Sequence, residues 1–169
     1  FKILDSDLYL WHLVKPNGLV LPHHINGSLS LSNLTSAEGL VLPQNIGGDL
    51  LLWSLTSAEG LVLPQSVGGD LHLWSLTSAE GLVLPQSVGG NLELTRLNSA
   101  EDLVLPQNIG GDLYLTRLTS AEGLVLPYDF DLNKLICPSY IKNEILQNPD
   151  KYFRKPPSEE ENISVHHKR

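Results

Sequence analysis

Five glutamates, Glu38, Glu59, Glu80, Glu101 and Glu122, recur at one constant interval. Carboxylates in a row suit a hard cation such as calcium. A local role competes with that chemistry: Thr77 and Glu80 have the spacing of a capping box, in which each side chain satisfies a backbone N–H of the other's turn. Asp102 joins the glutamate row only once, so turn capping is the expected role. A second polar column, Asp49, Asp70, Asn91 and Asp112, follows Gly-Gly in each repeat, where turn chemistry accounts for Asp and Asn. His23-His24 and His166-His167 are paired in sequence, but a metal centre needs a third ligand at a fixed distance, and none is visible beside them. Cys137 has no catalytic neighbourhood and reads as a small, buried side chain. Gly-Gly precedes Asp or Asn and no helix follows, so it is a turn and not a phosphate loop. No acid, base and nucleophile stand together apart from repeat-constrained positions. The expectation is a protein that is not an enzyme and has no metal or cofactor.

Binding chemistry is more promising than catalysis. Three columns vary between repeats while the rest stay nearly constant. The first reads Tyr9, Ser30, Leu51, His72, Glu93, Tyr114; the second Trp11, Ser32, Trp53, Trp74, Thr95, Thr116; the third His12, Asn33, Ser54, Ser75, Arg96, Arg117. By contrast Val20, Val41, Val62, Val83, Val104 and Val125 form one invariant outward column. Exposed Trp, Tyr and Arg are common anchors of protein interfaces. The candidate partner-binding set is therefore Tyr9, Trp11, Trp53, His72, Trp74, Glu93, Arg96, Tyr114 and Arg117. A second reading stands beside it and is compatible with it: Trp53 and Trp74 stack as a ladder that stiffens the sheet.

These columns exist because the chain repeats. Pro22, Pro43, Pro64, Pro85, Pro106 and Pro127 are evenly spaced, around a unit best read at residues 70–90, DLHLWSLTSAEGLVLPQSVGG. The unit loosens toward residues 28–48 and 7–27. Its phase survives at Phe130 and then stops. Repeats of this length mark solenoids. Within a unit, Asp70-Leu71-His72-Leu73-Trp74 alternates as a half-buried strand does. Leu82-Val83-Leu84-Pro85 alternates again and is predicted as a second strand, closed by proline. Gly68-Gly69 supplies a turn where positive φ costs nothing. Leu76–Gly81 is expected to form one turn of helix or 3₁₀. Seven side chains point inward: Leu71, Leu73, Leu76, Ala79, Leu82, Leu84 and Val88. One coil buries too little to offset the ordering of its own backbone, so stability must come from stacking.

The motif IGGDLxLxxLTSAEGLxLP resembles the leucine-rich repeat family, whose plant and bacterial members carry LPxSIGxLxxLxxLxL. The phase of Gly-Gly before LxL is also similar to the receptor L-domain type of β-solenoid. The resemblance covers residues 4 to about 130 and implies a mainly β, right-handed, leucine-rich-repeat-like solenoid of about six 21-residue coils. The chain departs from the family where the strand is normally followed by asparagine: Trp53, Trp74, Thr95 and Thr116 stand there. A second sheet built from the LVLP segments follows as an expectation. No cysteine-rich flank is present, unlike the extracellular members.

Both ends of a solenoid need covering. Ile141, Ile145 and Leu146 fall at helical spacing after Pro138-Ser139. Asn148-Pro149-Asp150 then restarts a short turn, with Asn148 as cap, and Tyr152 and Phe153 pack back on the last coil. Three regions result: a solenoid over 1–138, a helical C-terminal cap over 139–155, and a polar, disordered tail over 156–169. Phe1-Lys2-Ile3 offers no comparable cap, so further polypeptide or a partner is expected there. With no methionine and a start at Phe1, a processed or truncated N-terminus is expected too. One cysteine and no visible signal segment favour the cytoplasm; the processed start leaves secretion open. Asn26-Gly27-Ser28, Asn33-Leu34-Thr35 and Asn162-Ile163-Ser164 match glycosylation acceptors.

The 169 residues carry a net charge of −8. Residues 1–138 hold 14 acidic and 5 basic side chains, which disfavours a nucleic-acid surface and favours a partner with a basic face. No apolar run approaches a membrane span, so a soluble chain without a membrane partner is expected. Three functions follow: a protein-interaction module, a structural spacer or part of a larger repeat assembly, and recognition of a repetitive ligand such as glycan or ice.

Overall fold

The computed structural model describes residues 2–156. Over them the chain is mainly β, wound as a parallel β-solenoid of about six turns and closed by two short helices. Among the described residues, no helix is long and apolar enough to cross a membrane. Each full turn contributes two strands of two residues. One sheet holds β1 (Ile3–Leu4), β3 (His24–Ile25), β5 (Asn45–Ile46), β7 (Ser66–Val67), β9 (Ser87–Val88) and β11 (Asn108–Ile109) in that spatial order. The other holds β2 (Leu8–Tyr9), β4 (Leu29–Ser30), β6 (Leu50–Leu51), β8 (Leu71–His72), β10 (Leu92–Glu93), β12 (Leu113–Tyr114) and β13 (Leu135–Ile136). Register follows the repeat: Leu50 faces Leu71, which faces Leu92.

The first predicted strand is where the alternation put it, and its ladder runs past the two assigned residues. Leu71 N–H donates to Asn91 C=O at 2.8 Å and Leu73 N–H to Glu93 C=O at 3.0 Å. The second predicted strand needs correction. Leu82–Pro85 is irregular; the second sheet is formed by the two residues that precede Gly-Gly. Proline explains the shift, because it has no N–H to give a ladder. Pairing resumes immediately beyond it, where Gln86 N–H donates to Gln65 C=O at 3.0 Å.

Inward positions are as expected with one exception. Leu71, Leu73, Leu76, Ala79, Leu82 and Val88 are buried, whereas Leu84 is half-buried and Pro85 is buried beside it. The valine column does point outward: Val83 is 73 % exposed.

The turn over Leu76–Gly81 is not helical, and the capping box does not form. Instead Ser78 Oγ accepts the N–H of Glu80 at 3.1 Å, and the other four repeats make the same bond. With no helix N-terminus there, the glutamate side chain has nothing to cap. Gly81 does supply a left-handed residue, with φ 71°. Gly-Gly is glycine for a different reason from the one expected. A Cβ on Gly89 would run into the carbonyl oxygen of Gly68 in the preceding coil, so the pair permits close backbone stacking.

The aspartate column likewise acts between coils and not within a turn. Asp49 Oδ1 accepts Asp70 N–H at 2.8 Å, Asp70 Oδ1 accepts Asn91 N–H at 2.7 Å, and Asn91 Oδ1 accepts Asp112 N–H at 2.8 Å. Ser28 and Asp7 continue this ladder to the first coil. Asp or Asn suffices because only an acceptor oxygen is required.

The repeat also lasts longer than expected. β13 pairs with β12 with Leu113 facing Leu135, one residue beyond the repeat spacing. A 3₁₀ turn over Leu132–Lys134 absorbs the extra residue. The cap follows as α1 (Ser139–Gln147) and α2 (Pro149–Tyr152). Ile141, Ile145 and Tyr152 are buried, but Leu146 is 59 % exposed and takes no part in the seal. Asn148 sits ahead of α2 without capping it; its side chain donates back to Glu144 C=O. Phe153 pairs with Leu126, the one LVLP segment that finds a β partner among the described residues. At the other end Leu4, Leu8 and Leu10 are half-buried, where their equivalents in the next coil, Ile25, Leu29 and Leu31, are buried. The tail expected to be disordered lies, from residue 157, outside the described residues.

Candidate interaction face

The face is the outer side of the seven-stranded sheet and the turn that follows each of its strands. From β2 to β12 the parallel register has no insertion and lines up side chains from successive coils, so residues of one column in adjacent coils become neighbours at about 4.8 Å. Trp53 and Trp74, each two residues past a strand, stack with ring centroids 4.9 Å apart and planes 4° apart. They remain 37 % and 39 % exposed. His72 stands edge-on to both rings, 6.1 Å from Trp53 and 5.8 Å from Trp74. Glu93 faces His72 across β8 and β10. Its Oε2 lies 2.9 Å from His72 Nδ1 and also accepts the Trp74 indole N–H.

Four of the nine candidate residues thus form one contiguous cluster: Trp53, His72, Trp74 and Glu93. Two more form a separate pair at the first coil, where Tyr9 and Trp11 lie 5.3 Å apart. The Tyr9 hydroxyl donates to Asp7 at 2.8 Å. The Ser28 N–H, with the Tyr9 hydroxyl second, holds the Asp7 carboxyl below its ordinary value; that carboxylate in turn raises the Tyr9 hydroxyl. Between the two groups the face is interrupted. Ser30 is buried and bonded to Ser32 at 2.7 Å. Tyr114 faces Glu93 in the register of β12 and β10. Arg96 and Arg117 are exposed and form no ion pair among the described residues.

The third column also braces the stack: Asn33 donates to Trp11 C=O at 2.6 Å and Ser54 to Ser32 C=O at 2.6 Å.

Asp70, expected from its own column to be only a turn residue, lies beside His72 and Glu93 on this face. The readable signal ran across columns: Asp70 and His72 lie on one strand edge with a single residue between them, and Glu93 holds the His72 position one repeat later. One side-chain nitrogen or oxygen from each of these three lies within 4.8 Å of the others.

Other chemistry is weaker. The five glutamates are exposed along one ridge. Cys137 is half-buried, and burial pushes its thiol above the ordinary range despite the opposing charge of Lys142, which disfavours the reactive thiolate. His24 Nδ1 lies 3.2 Å from the Asn45 amide. Asn26 donates to Asp5 at 2.6 Å and, with Asn33, already spends its side-chain amide on a neighbouring coil; Asn162 lies outside the described residues. No family model matches this chain, and no curated protein or solved structure matches it either.

Proposed function

We propose that this chain is a non-catalytic protein-interaction module, a rigid solenoid that presents its variable sheet face to a protein partner. One observation carries the reading: two stacked tryptophans stay more than a third exposed on a face where neighbouring repeats differ most. Large aromatic surface held rigid by stacking loses little freedom on binding, which is what an interface anchor needs. Arg96 and Arg117 add cations that form no ion pair among the described residues, while the acidic ladder and glutamate ridge favour a partner with basic groups. Kinship with leucine-rich repeats belongs to this reading; the leucine spacing and parallel stacking support it.

A structural spacer is the second reading. The stacking itself favours it, since a Trp ladder stabilises adjoining coils with or without a partner. One pair of variants separates the two. Trp53→Ala and Trp74→Ala should each cost about 1 kcal/mol of stability, the scale of a stacked aromatic pair. As an interface anchor, either should also weaken capture of one defined partner by about tenfold or more. Pull-down after cross-linking, with melting curves of both forms, reads the two effects apart. Unchanged capture overturns the interaction reading, and binding on a glycan array in place of protein capture replaces it with glycan recognition.

A further inference from the structure

The geometry points to a divalent-cation site at Asp70, His72 and Glu93, with zinc the best fit to one imidazole and two carboxylates. It goes beyond the protein-binding reading and does not depend on it.

Three observations converge. The donor atoms lie within 4.8 Å of one another, and His72 Nδ1 and Glu93 Oε2 are already at 2.9 Å. A tetrahedral zinc with bonds of about 2.1 Å holds its ligands about 3.4 Å apart, so only a small adjustment closes the set. Next, the ligands are oriented by other groups, as metal ligands generally are. Asp70 is steered by the Asn91 N–H on its Oδ1, which leaves its second oxygen for a cation. His72 is set edge-on against Trp53 and Trp74, and Glu93 takes the Trp74 indole N–H. Lastly, the His72 and Glu93 side chains are only 13 % and 14 % exposed, so water screens the charges less than on an open surface.

The combination occurs at one coil junction. The same three slots hold Asp49, Leu51 and His72 one coil earlier, and Asn91, Glu93 and Tyr114 one coil later. No other three-ligand group is found among the described residues. His72 and Glu93 are the two departures in a column otherwise made of Tyr, Ser and Leu. A cation here takes the Nδ1 position that His72 shares with Glu93, and the neutral ring carries its one proton on Nε2. The cation's charge balances the two carboxylates. Three protein ligands leave an open coordination position.

The test is calorimetric titration of the tag-free chain with zinc chloride. A background of His23→Gln, His166→Ala and His167→Ala removes most of the paired-histidine sites. Gln is the residue that later repeats carry at the His23 position. One equivalent of zinc is expected to bind, and copper(II) should quench the fluorescence of the adjoining tryptophans at the same stoichiometry. Asp70→Asn, His72→Ala and Glu93→Gln should each weaken binding by at least tenfold, roughly the least that loss of an outer-shell partner costs. Asp70→Asn keeps the fold intact, because Asn91 makes the same ladder bond in the next coil. Far-UV dichroism without metal confirms folding of each variant. No binding by the background chain, or equal binding by the three variants, overturns the site.

Discussion

Gly89→Ala is expected to destabilise the solenoid by about 3 kcal/mol or more, the upper end of overpacking in a close-packed interior, whereas Gly81→Ala should cost only about 1–2 kcal/mol. Both replace a glycine of the repeat by the smallest chiral residue, so the contrast isolates the cause. At Gly81 the backbone is left-handed with φ 71°, and nothing lies within 4 Å of an added Cβ; the penalty is conformational alone. At Gly89 an added Cβ meets the carbonyl oxygen, carbonyl carbon and Cα of Gly68. Those are backbone atoms of the preceding coil, and they cannot turn aside as a side chain would. Relief requires the coils to part. That would stretch the bonds from Gly89 N–H to Val67 C=O and from Gly90 N–H to Gly69 C=O, both 2.9 Å. Urea unfolding of the two variants in parallel checks the ordering. If Gly81→Ala proves the more damaging, the close-approach account of Gly-Gly is wrong.

Tyr152→Ala is the second large effect, with an expected loss of about 3–5 kcal/mol. Tyr152 is 1 % exposed at the end of α2. Its carbonyl oxygen accepts Leu126 N–H at 2.7 Å, and Arg154 N–H returns to Leu126 C=O at 2.8 Å. Arg154 Nη2 reaches one coil farther, to Leu105 C=O at 2.8 Å. The ring therefore sits where the last coil would otherwise show its core to water. Tyr152→Phe keeps the ring and loses only the hydroxyl that donates to Glu144, so it should cost about 1 kcal/mol. Melting temperatures of the two variants test this, and a similar drop in both would show that the hydroxyl, not the ring, closes the stack.

The parts of this architecture that side-chain period controls were open to reading; those controlled by backbone bonding were not. Leucine alternation at Leu71 and Leu73 located a strand, and the spacing of Ile141 and Ile145 located a helix, because burial alone decides those. Leu82-Val83-Leu84 shows the same alternation, yet the proline after it prevents a ladder, and pairing moves to Ser87–Val88. Thr77 and Glu80 matched a capping box, but the match presupposes a helix, and Ser78 serves the turn instead. Gly-Gly was recognisable as special while its reason was hidden, since the obstructing atoms belong to another coil. The face itself was legible as variable columns. Its densest point was not, because Asp70, His72 and Glu93 meet only through the register between coils, and each column alone looked ordinary.

That register has a mechanical consequence. From β2 to β12 successive coils contribute the same length of chain, nearly the same hydrogen bonds and nearly the same core. Under tension applied at the two ends, the chain resists until one coil gives way. Each coil that peels off releases about 70 Å of extended polypeptide. The next coil then bears the load through an almost identical set of bonds, so extension proceeds in even increments, one per turn.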